Sequence, residues 1–238
     1  MDPHTIVSRE AWLAARTVLL AKEKAFTRAR DDLARERRTL PWVRVDKAYA
    51  FHGADGTLGL ADLFDGKSQL IVVHFMFGPD WKEGCPICSF RADGLDGMLA
   101  HLGARDVALV AVSRAPLAVL TAFKDRMGWG FPWVSSLDSD FNFDFGVSFS
   151  QAQVDAGEAI YNYEVPQTRP GEAHGVSVFC KDPADGSVFH TYSNYARGDD
   201  ILMSAYNYLD LTPKGRDEAG LPYPLAWIRH HDRYGESR

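Results

Sequence analysis

Two thiols three residues apart, in the run Gly84-Cys85-Pro86-Ile87-Cys88, are the part of this sequence best equipped for chemistry. One helical turn brings such a pair within disulfide reach, so it can store and release two electrons. If Pro86 takes the first helical position, Cys85 caps the helix, where unpaired N–H groups and the helix dipole favour thiolate over thiol. Cys85 is then the expected nucleophile, and Cys88, shielded one turn in, the expected resolving thiol. Lys82 and Arg91 add positive potential to this loop, while Asp80 and Glu83 oppose it. Two other readings use the same cysteines. A soft-metal site for zinc or copper would need a histidine as well, and the usual second half of a zinc site is missing: only Cys180 remains, with no His-x-x-x-His pair. The pair can also be structural, in a binding module without redox activity. No cofactor is implied by any of these residues.

Positioning such a pair requires a strand that ends just before it. Leu70 to Phe77 is the most apolar stretch of the chain and reads as a central strand buried on both faces, ended by Gly78-Pro79. A helix is expected from Cys85 to about Leu102, a second buried strand at Val107–Val112, and a helix from Pro116 to about Met127. Strand, helix, strand, helix in that order implies a parallel βαβ core with a right-handed crossover. Upstream, Gly53-Ala-Asp-Gly56 signals a hairpin turn, and Leu60 to Phe64 can form one helical turn. Downstream, Phe131–Ser135 is a short strand candidate. Phe141, Phe143, Phe145, Val147 and Phe149 alternate as a strand would, but Asp138, Ser139 and Asp140 before them are helix-start residues, and both readings stay open. Residues 150–174 form a long excursion of the kind that often covers a site. Gly175–Cys180 and Ser187–Tyr192 flank a turn at residues 182–186 and predict an antiparallel hairpin, followed by a helix from about Asp199 to Leu209.

Composition bounds the rest. The 238 residues carry a net charge of −6 at a pI near 5.7, which argues against nucleic acid as a partner. No run of 18 apolar residues exists and Met1 to Arg16 lacks the apolar core of a secretory signal, so neither membrane nor export is expected. Three cysteines do not make a disulfide scaffold, and a reducing cytoplasm is the expected setting. Residues 1–40 hold nine Lys/Arg and six Asp/Glu, hence +3, which leaves −9 on the remainder. This basic segment reads as one helix from about Ser8, its N-cap, to Arg38, with Pro41 beyond. Trp12, Leu19, Phe26 and Leu33 recur every seven residues. That stripe is expected to be buried, along the chain's own domain or across a homodimer. Cys180, on the same alternation as Val176 and Val178, is expected to be a small core residue. His230 and His231 are adjacent and point about 100° apart on a helix. With Arg229, Asp232 and Arg233 they suggest a surface charge network. The aromatic cluster of Trp81, Trp129, Phe131, Trp133, Phe141, Phe143 and Phe145 suits a core layer, or an apolar groove beside the dithiol.

The βαβ…ββα order with a Cys-x-x-Cys at the first helix start resembles the thioredoxin fold. Gly56-Thr-Leu, Leu60-Ala-Asp-Leu63 and Leu70–Phe77 resemble its peroxiredoxin branch. More closely, Ser8-Arg-Glu-Ala-Trp12, Met76-Phe-Gly-Pro-Asp-Trp81, Gly84-Cys-Pro-Ile-Cys88, Ser139-Asp-Phe-Asn142, Phe189-His-Thr-Tyr192, Asp210-Leu-Thr-Pro-Lys-Gly-Arg216 and Arg229-His-His-Asp-Arg-Tyr234 resemble a bacterial thioredoxin-like family of predicted dithiol-disulfide oxidoreductases. The resemblance implies an α/β thioredoxin-like fold: a central mixed sheet with helices on both faces, plus the long N-terminal helix. It divides the chain into a helical extension at 1–40, a thioredoxin-like domain at 41–210 and a C-terminal extension at 211–238. It implies exchange with a protein or small-molecule disulfide. It also points to His74, where thioredoxins bury an acid beneath the dithiol, and to His174, where they place a cis-proline facing it. Lys82 and Gly78 stand where peroxiredoxins carry Thr or Ser and Pro, and Cys88 is an addition, so peroxidase activity is less expected than dithiol exchange.

Overall fold

The computed structural model describes residues 4–235 and divides into two units, Met1–Pro41 and Trp42–Arg238. The first is built on helix α1 (Arg9–Arg37), capped as expected by Ser8, whose Oγ accepts the Ala11 N–H at 3.2 Å. Its apolar stripe is not buried within the helix's own unit. No residue of α1 is buried, and Trp12, Leu19, Phe26 and Leu33 are all exposed. Local contacts sustain the helix instead: Arg16 pairs with Glu23 at 2.7 Å, and the Thr17 and Thr27 hydroxyls bond back to Leu13 and Glu23 carbonyls.

The second unit begins with β1 (Val43–Arg44), β2 (Ala50–Gly53), β3 (Gly56–Gly59), a 3-10 turn at Asp62–Phe64 and β4 (Gln69–His74). Next come α2 (Pro86–Ala92), α3 (Asp96–Gly103), β5 (Val107–Ser113), α4 (Leu117–Met127) and β6 (Trp133–Ser135). Then follow α5 (Phe141–Asp144) and β7 (Ser148–Phe149), and the excursion contains α6 (Gln151–Asp155), β8 (Ile160–Tyr161), β9 (Val165–Pro166) and β10 (Gly171–Glu172). The hairpin β11 (Gly175–Lys181) and β12 (Val188–Tyr195) leads to a 3-10 segment at Ala196–Leu202 and α7 (Ser204–Leu209). Among the described residues, eight strands form one sheet in the order β1-β12-β11-β4-β5-β6-β2-β3. β4, β5 and β6 run parallel, and β11 is antiparallel to both β4 and β12. This is a thioredoxin-like α/β architecture.

Parity along β4 sorts the two core layers. Ile71, Val73 and Phe75 face the layer that holds Cys88, Leu95, Leu120 and Phe123. Leu70 and Val72 face the other, with Phe51, Phe64, Phe141 and Phe179. The single helix expected from Cys85 to Leu102 is broken between Ala92 and Asp96. Gly94 is a weak helix former there. Asp93 beside it turns its carboxylate to tertiary partners, the Trp129 indole N–H at 2.9 Å and His231 at 2.6 Å. The ambiguous aromatic run resolves as a helical turn followed by a strand. Phe141 and Phe145 lie four apart with ring centroids 4.6 Å apart, and Lys47 bonds to both Asp140 and Asp144.

His74 belongs by parity to the layer opposite Cys88, and its ring packs on Phe141 and Phe145. Its Nε2 meets Ser177 Oγ at 2.8 Å, Ser177 meets Ser193 at 2.7 Å, and Ser193 meets His190 at 2.7 Å. Burial, followed by the charges of Arg91 and His190, lowers the His74 pKa from 6.5 to about 3. An unfolded chain therefore binds a proton that the fold refuses between those values. Stability should fall as pH drops below about 6.5, by roughly 1 kcal/mol per pH unit from this group. Urea midpoints measured between pH 7 and pH 5 should show that decline, and His74→Gln should flatten it. An unchanged slope in the variant would remove His74 as its source.

Candidate active site

The loop between β4 and α2 doubles back on the strand that precedes it. Phe75 N–H bonds to the Val112 carbonyl at 3.0 Å, and Cys85 N–H bonds to the Met76 carbonyl at 3.0 Å. The helix start is thereby stitched to the end of the central strand. Gly84 makes the close approach possible: a Cβ there would sit 2.6 Å from a Phe75 ring carbon. Pro86 takes the first helical position, as expected, with Cys85 as N-cap. Ser89 closes the first turn, giving both its N–H (2.9 Å) and its hydroxyl (3.0 Å) to the Cys85 carbonyl.

The two thiols lie 3.9 Å apart and are free. Cys85 is half-buried, whereas Cys88 is only 2% exposed. Donation of the Cys88 thiol hydrogen is the largest influence on Cys85 and brings its pKa down to about 6 against the desolvation cost. The Cys88 and Ile87 backbone N–H groups and the charge of His174 act in the same direction. Cys88 is pushed well above the ordinary thiol range by donating to Cys85, by burial and by the neighbouring thiolate. One proton is shared between two sulfurs and resides on the inner one.

Behind the pair lies a buried charge cluster. Arg91, 4% exposed on α2, donates to Asp199 Oδ2, and its second nitrogen reaches the His74 carbonyl at 3.3 Å. Asp199 is fully buried, and the same Oδ2 takes His174 Nδ1 at 3.1 Å. His174 enters just before β11; its carbonyl accepts the Tyr161 hydroxyl at 2.7 Å, and that hydroxyl accepts the Ala196 N–H at 2.8 Å. Of the residues expected to support the dithiol, Pro86 and Arg91 lie on the helix that Cys85 caps, and His174 is tied to that helix through Asp199 and Arg91. His74 is not: only its carbonyl faces this side. Lys82 is exposed on the loop. Trp81, 39% exposed, lays its indole against Gly78. Asp199, Tyr161 and Arg126 had no sequence signal of a site role; Asp199 reads only as a helix-start residue.

Three expectations are corrected. His230 is not a surface residue: it is 3% exposed, stacks edge-on against Phe123, and donates Nε2–H to the Gly84 carbonyl at 2.8 Å. Glu83 does not oppose the thiolate as a free charge, because Arg126 (2.6 Å) and Arg233 (2.9 Å) hold its two oxygens. Cys180 is half-buried, not a core residue. It keeps the face of Val176 and Val178, because β11 stays in unbroken register with β4, but it pairs with Gln69 at the far end of β4, where that face is only partly covered. Among the described residues no group of three or more His, Cys, Asp or Glu is arranged to hold a metal ion, and no helix is long and apolar enough to cross a membrane.

Residues 1–234 match the family described as "Bacterial protein of unknown function (DUF899)", and the chain belongs to it. Nothing among curated proteins matches the sequence. Solved structures with a similar fold include a Xylella fastidiosa PrxQ mutant, 12% identical over 67% of this chain and 89% of that one, TM-score 0.41. Mycobacterium tuberculosis peroxidoxin BcpB is 12% identical over 70% and 94%, TM-score 0.43. A Xanthomonas campestris peroxiredoxin Q mutant is 15% identical over 72% and 98%, TM-score 0.44. These are distant likenesses, below the level at which chemistry carries across.

The shared proton has a measurable consequence. In the reduced protein, carbamidomethylation of Cys85 by iodoacetamide should titrate with a midpoint near pH 6, the value to which its pKa falls. Cys88 should stay unmodified up to at least about pH 8. Peptide mapping across that range checks both, and equal reactivity of the two thiols would overturn the asymmetry.

Proposed function

We propose that this member of the family is a thiol-disulfide oxidoreductase working through Cys85 and Cys88. The observation that carries this reading is the unequal pair: two free thiols 3.9 Å apart, the outer one acidic and the inner one holding the proton. In the reductive direction the Cys85 thiolate attacks one sulfur of a substrate disulfide. The substrate S–S bond breaks, one half leaves as a thiol after taking up a proton, and a Cys85–substrate disulfide remains. Cys88 then loses its proton and attacks Cys85, and the second substrate half leaves as a thiol. The protein dithiol is oxidised by two electrons and the substrate disulfide is reduced to two thiols. Run backwards, the same steps oxidise a substrate dithiol.

The substrate is a protein or small-molecule disulfide or dithiol. Trp81, exposed on the loop that leads to Cys85, offers it an apolar contact, and Lys82 beside it adds a positive charge. The dithiol supports exchange more directly than peroxide reduction, since a second thiol already stands against the first. A soft-metal site of zinc or copper finds no third ligand among the described residues. A binding module without redox activity would leave the acidity of Cys85 without a use.

Mass spectrometry after exposure to oxidised glutathione tests the assignment. Cys88→Ser should accumulate a covalent adduct on Cys85 that dithiothreitol releases, and Cys85→Ser should accumulate none. An adduct on Cys85→Ser instead would reverse the two roles. If neither variant forms one and the wild type shows no reversible two-electron couple in glutathione buffers, the dithiol reading fails.

A further inference from the structure

We propose that His174, held by Asp199, is the group that exchanges protons with the Cys85/Cys88 pair. This rests on the dithiol reading for its purpose but on separate observations for its geometry. Asp199 is fully buried, and an ionised carboxylate can only accept hydrogen bonds. His174 Nδ1, 3.1 Å from Asp199 Oδ2, is therefore its N–H donor. Nε2 is left as the nitrogen free to gain or lose a proton. The same Oδ2 also takes the Arg91 guanidinium, and Oδ1 has no hydrogen-bond partner among the described residues.

Charge balance in this buried place restricts which protonation states are accessible. With Cys85 as thiol and His174 neutral, Arg91 and Asp199 cancel. With the proton moved from Cys85 to His174, two cations face two anions and the sum is again zero. Any other distribution leaves a net charge in a poorly solvated cluster, which is costly. The proton is thus exchanged within the cluster at little electrostatic cost. The charge of His174 does act on Cys85, lowering its pKa. Titratable groups near His174 include Tyr161 on β8, whose hydroxyl donates to the His174 carbonyl, Tyr195 on β12, packed against the adjoining Gly175, and Glu172 on β10, paired with Arg114. Burial raises the pKa of both tyrosines, so neither ionises near neutral pH.

The proton ledger of one turnover then closes. The site starts as Cys85 thiolate, His174 imidazolium and Cys88 thiol. When the thiolate breaks the substrate disulfide, imidazolium gives its proton to the departing thiolate and becomes neutral imidazole. When Cys88 attacks the mixed disulfide, its proton passes to that imidazole, which hands it to the second departing thiolate. Two protons leave on two substrate thiols, and the protein ends as disulfide and neutral imidazole. Asp199 is the positioning residue in this scheme and Arg91 its counter-charge.

Two measurements that need no disulfide substrate test the pairing on the full chain. First, in His174→Gln the pH midpoint of Cys85 carbamidomethylation should rise by about one pH unit, which lowers the rate at pH 6 about fivefold. Second, the His174 ring, followed by NMR in the wild type, should titrate at a lower pH once Cys85 is carbamidomethylated. The displacement should equal that in the first experiment, because coupling between two sites is reciprocal. Asp199→Asn should move the Cys85 midpoint in the same direction. If that variant does not fold, the first two measurements decide. An unmoved midpoint in His174→Gln, or a His174 titration indifferent to Cys85, overturns the proposal. A wild type with both couplings but no exchange with disulfides would instead overturn the dithiol reading and leave the pairing standing.

Discussion

A carboxylate with no contact to solvent, Asp199, ties the site together. It lies on the 3-10 segment after β12, and its Oδ2 gathers Arg91 from α2 and His174 from the entry to β11. Three pieces of chain separated by up to 108 residues are held at one oxygen. Removing one partner of such a pair leaves the other charge buried alone, at a cost of about 3–5 kcal/mol. The arrangement persists because each charge has a partner and Arg91 adds a bond to the His74 carbonyl on the central strand. It ties helix α2, whose start carries the cysteines, to the residue that enters β11. Gly175 lets this happen: a Cβ there would sit 2.5 Å from the Tyr195 ring and 2.9 Å from the Asn194 carbonyl.

The other side of the cysteine loop is held by the last described residues of the chain. His230 donates to the Gly84 carbonyl, one residue before Cys85. Arg126 on α4 grips Asp232 with two nitrogens, at 2.8 and 3.0 Å, and Glu83 with a third at 2.6 Å. His231 continues the contact to Asp93, just past the end of α2. Loop and helix are therefore pinned at both ends by one short segment, and the N-cap geometry of Cys85 owes as much to this strap as to Pro86. The strap makes a local consequence intelligible: the negative charge of Glu83 is spent on two arginines and does little to raise the pKa of Cys85.

What could be read from the sequence divides along physical lines. Features with a short-range cause were legible: Ser8 as a cap, the hairpin turn at Gly53–Gly56, the apolar run of β4, Pro86 at the helix start and the β11–β12 hairpin. Cys85 and Cys88 were legible as a pair because helical geometry alone brings them together. Features decided by partners far along the chain were not. Asp93 ends α2 with bonds to Trp129 and His231, which no local propensity announces. Resemblance puts His74 beneath the dithiol, but strand parity along Leu70, Val72 and His74 sends its ring to the other layer. His174 was found for its place before β11, while Asp199, which gives it a role, had no signal beyond helix-start preference. Cys180 keeps the face that alternation assigns it, but alternation fixes a face and not how deeply each position on it is covered. The seven-residue period of α1 establishes that an apolar face exists, not what covers it.

The asymmetry between the cysteines follows from geometry more than from the helix dipole. A helix of seven residues has a weak macrodipole, and the strongest influence on Cys85 is instead the hydrogen bond from Cys88. That donor is available only because Cys88 is buried and cannot easily lose its proton to water. The same burial that makes the inner thiol inert in the resting state makes the outer thiol acidic. Once Cys85 is engaged in a mixed disulfide, it no longer accepts that bond as a thiolate, and the neighbouring negative charge that holds the proton on Cys88 is gone. Arg91, which already favours the Cys88 thiolate, is then opposed by burial alone. In the proposed exchange the first step thus prepares the second: bonding at Cys85 lowers the proton affinity of Cys88 when its thiolate is needed.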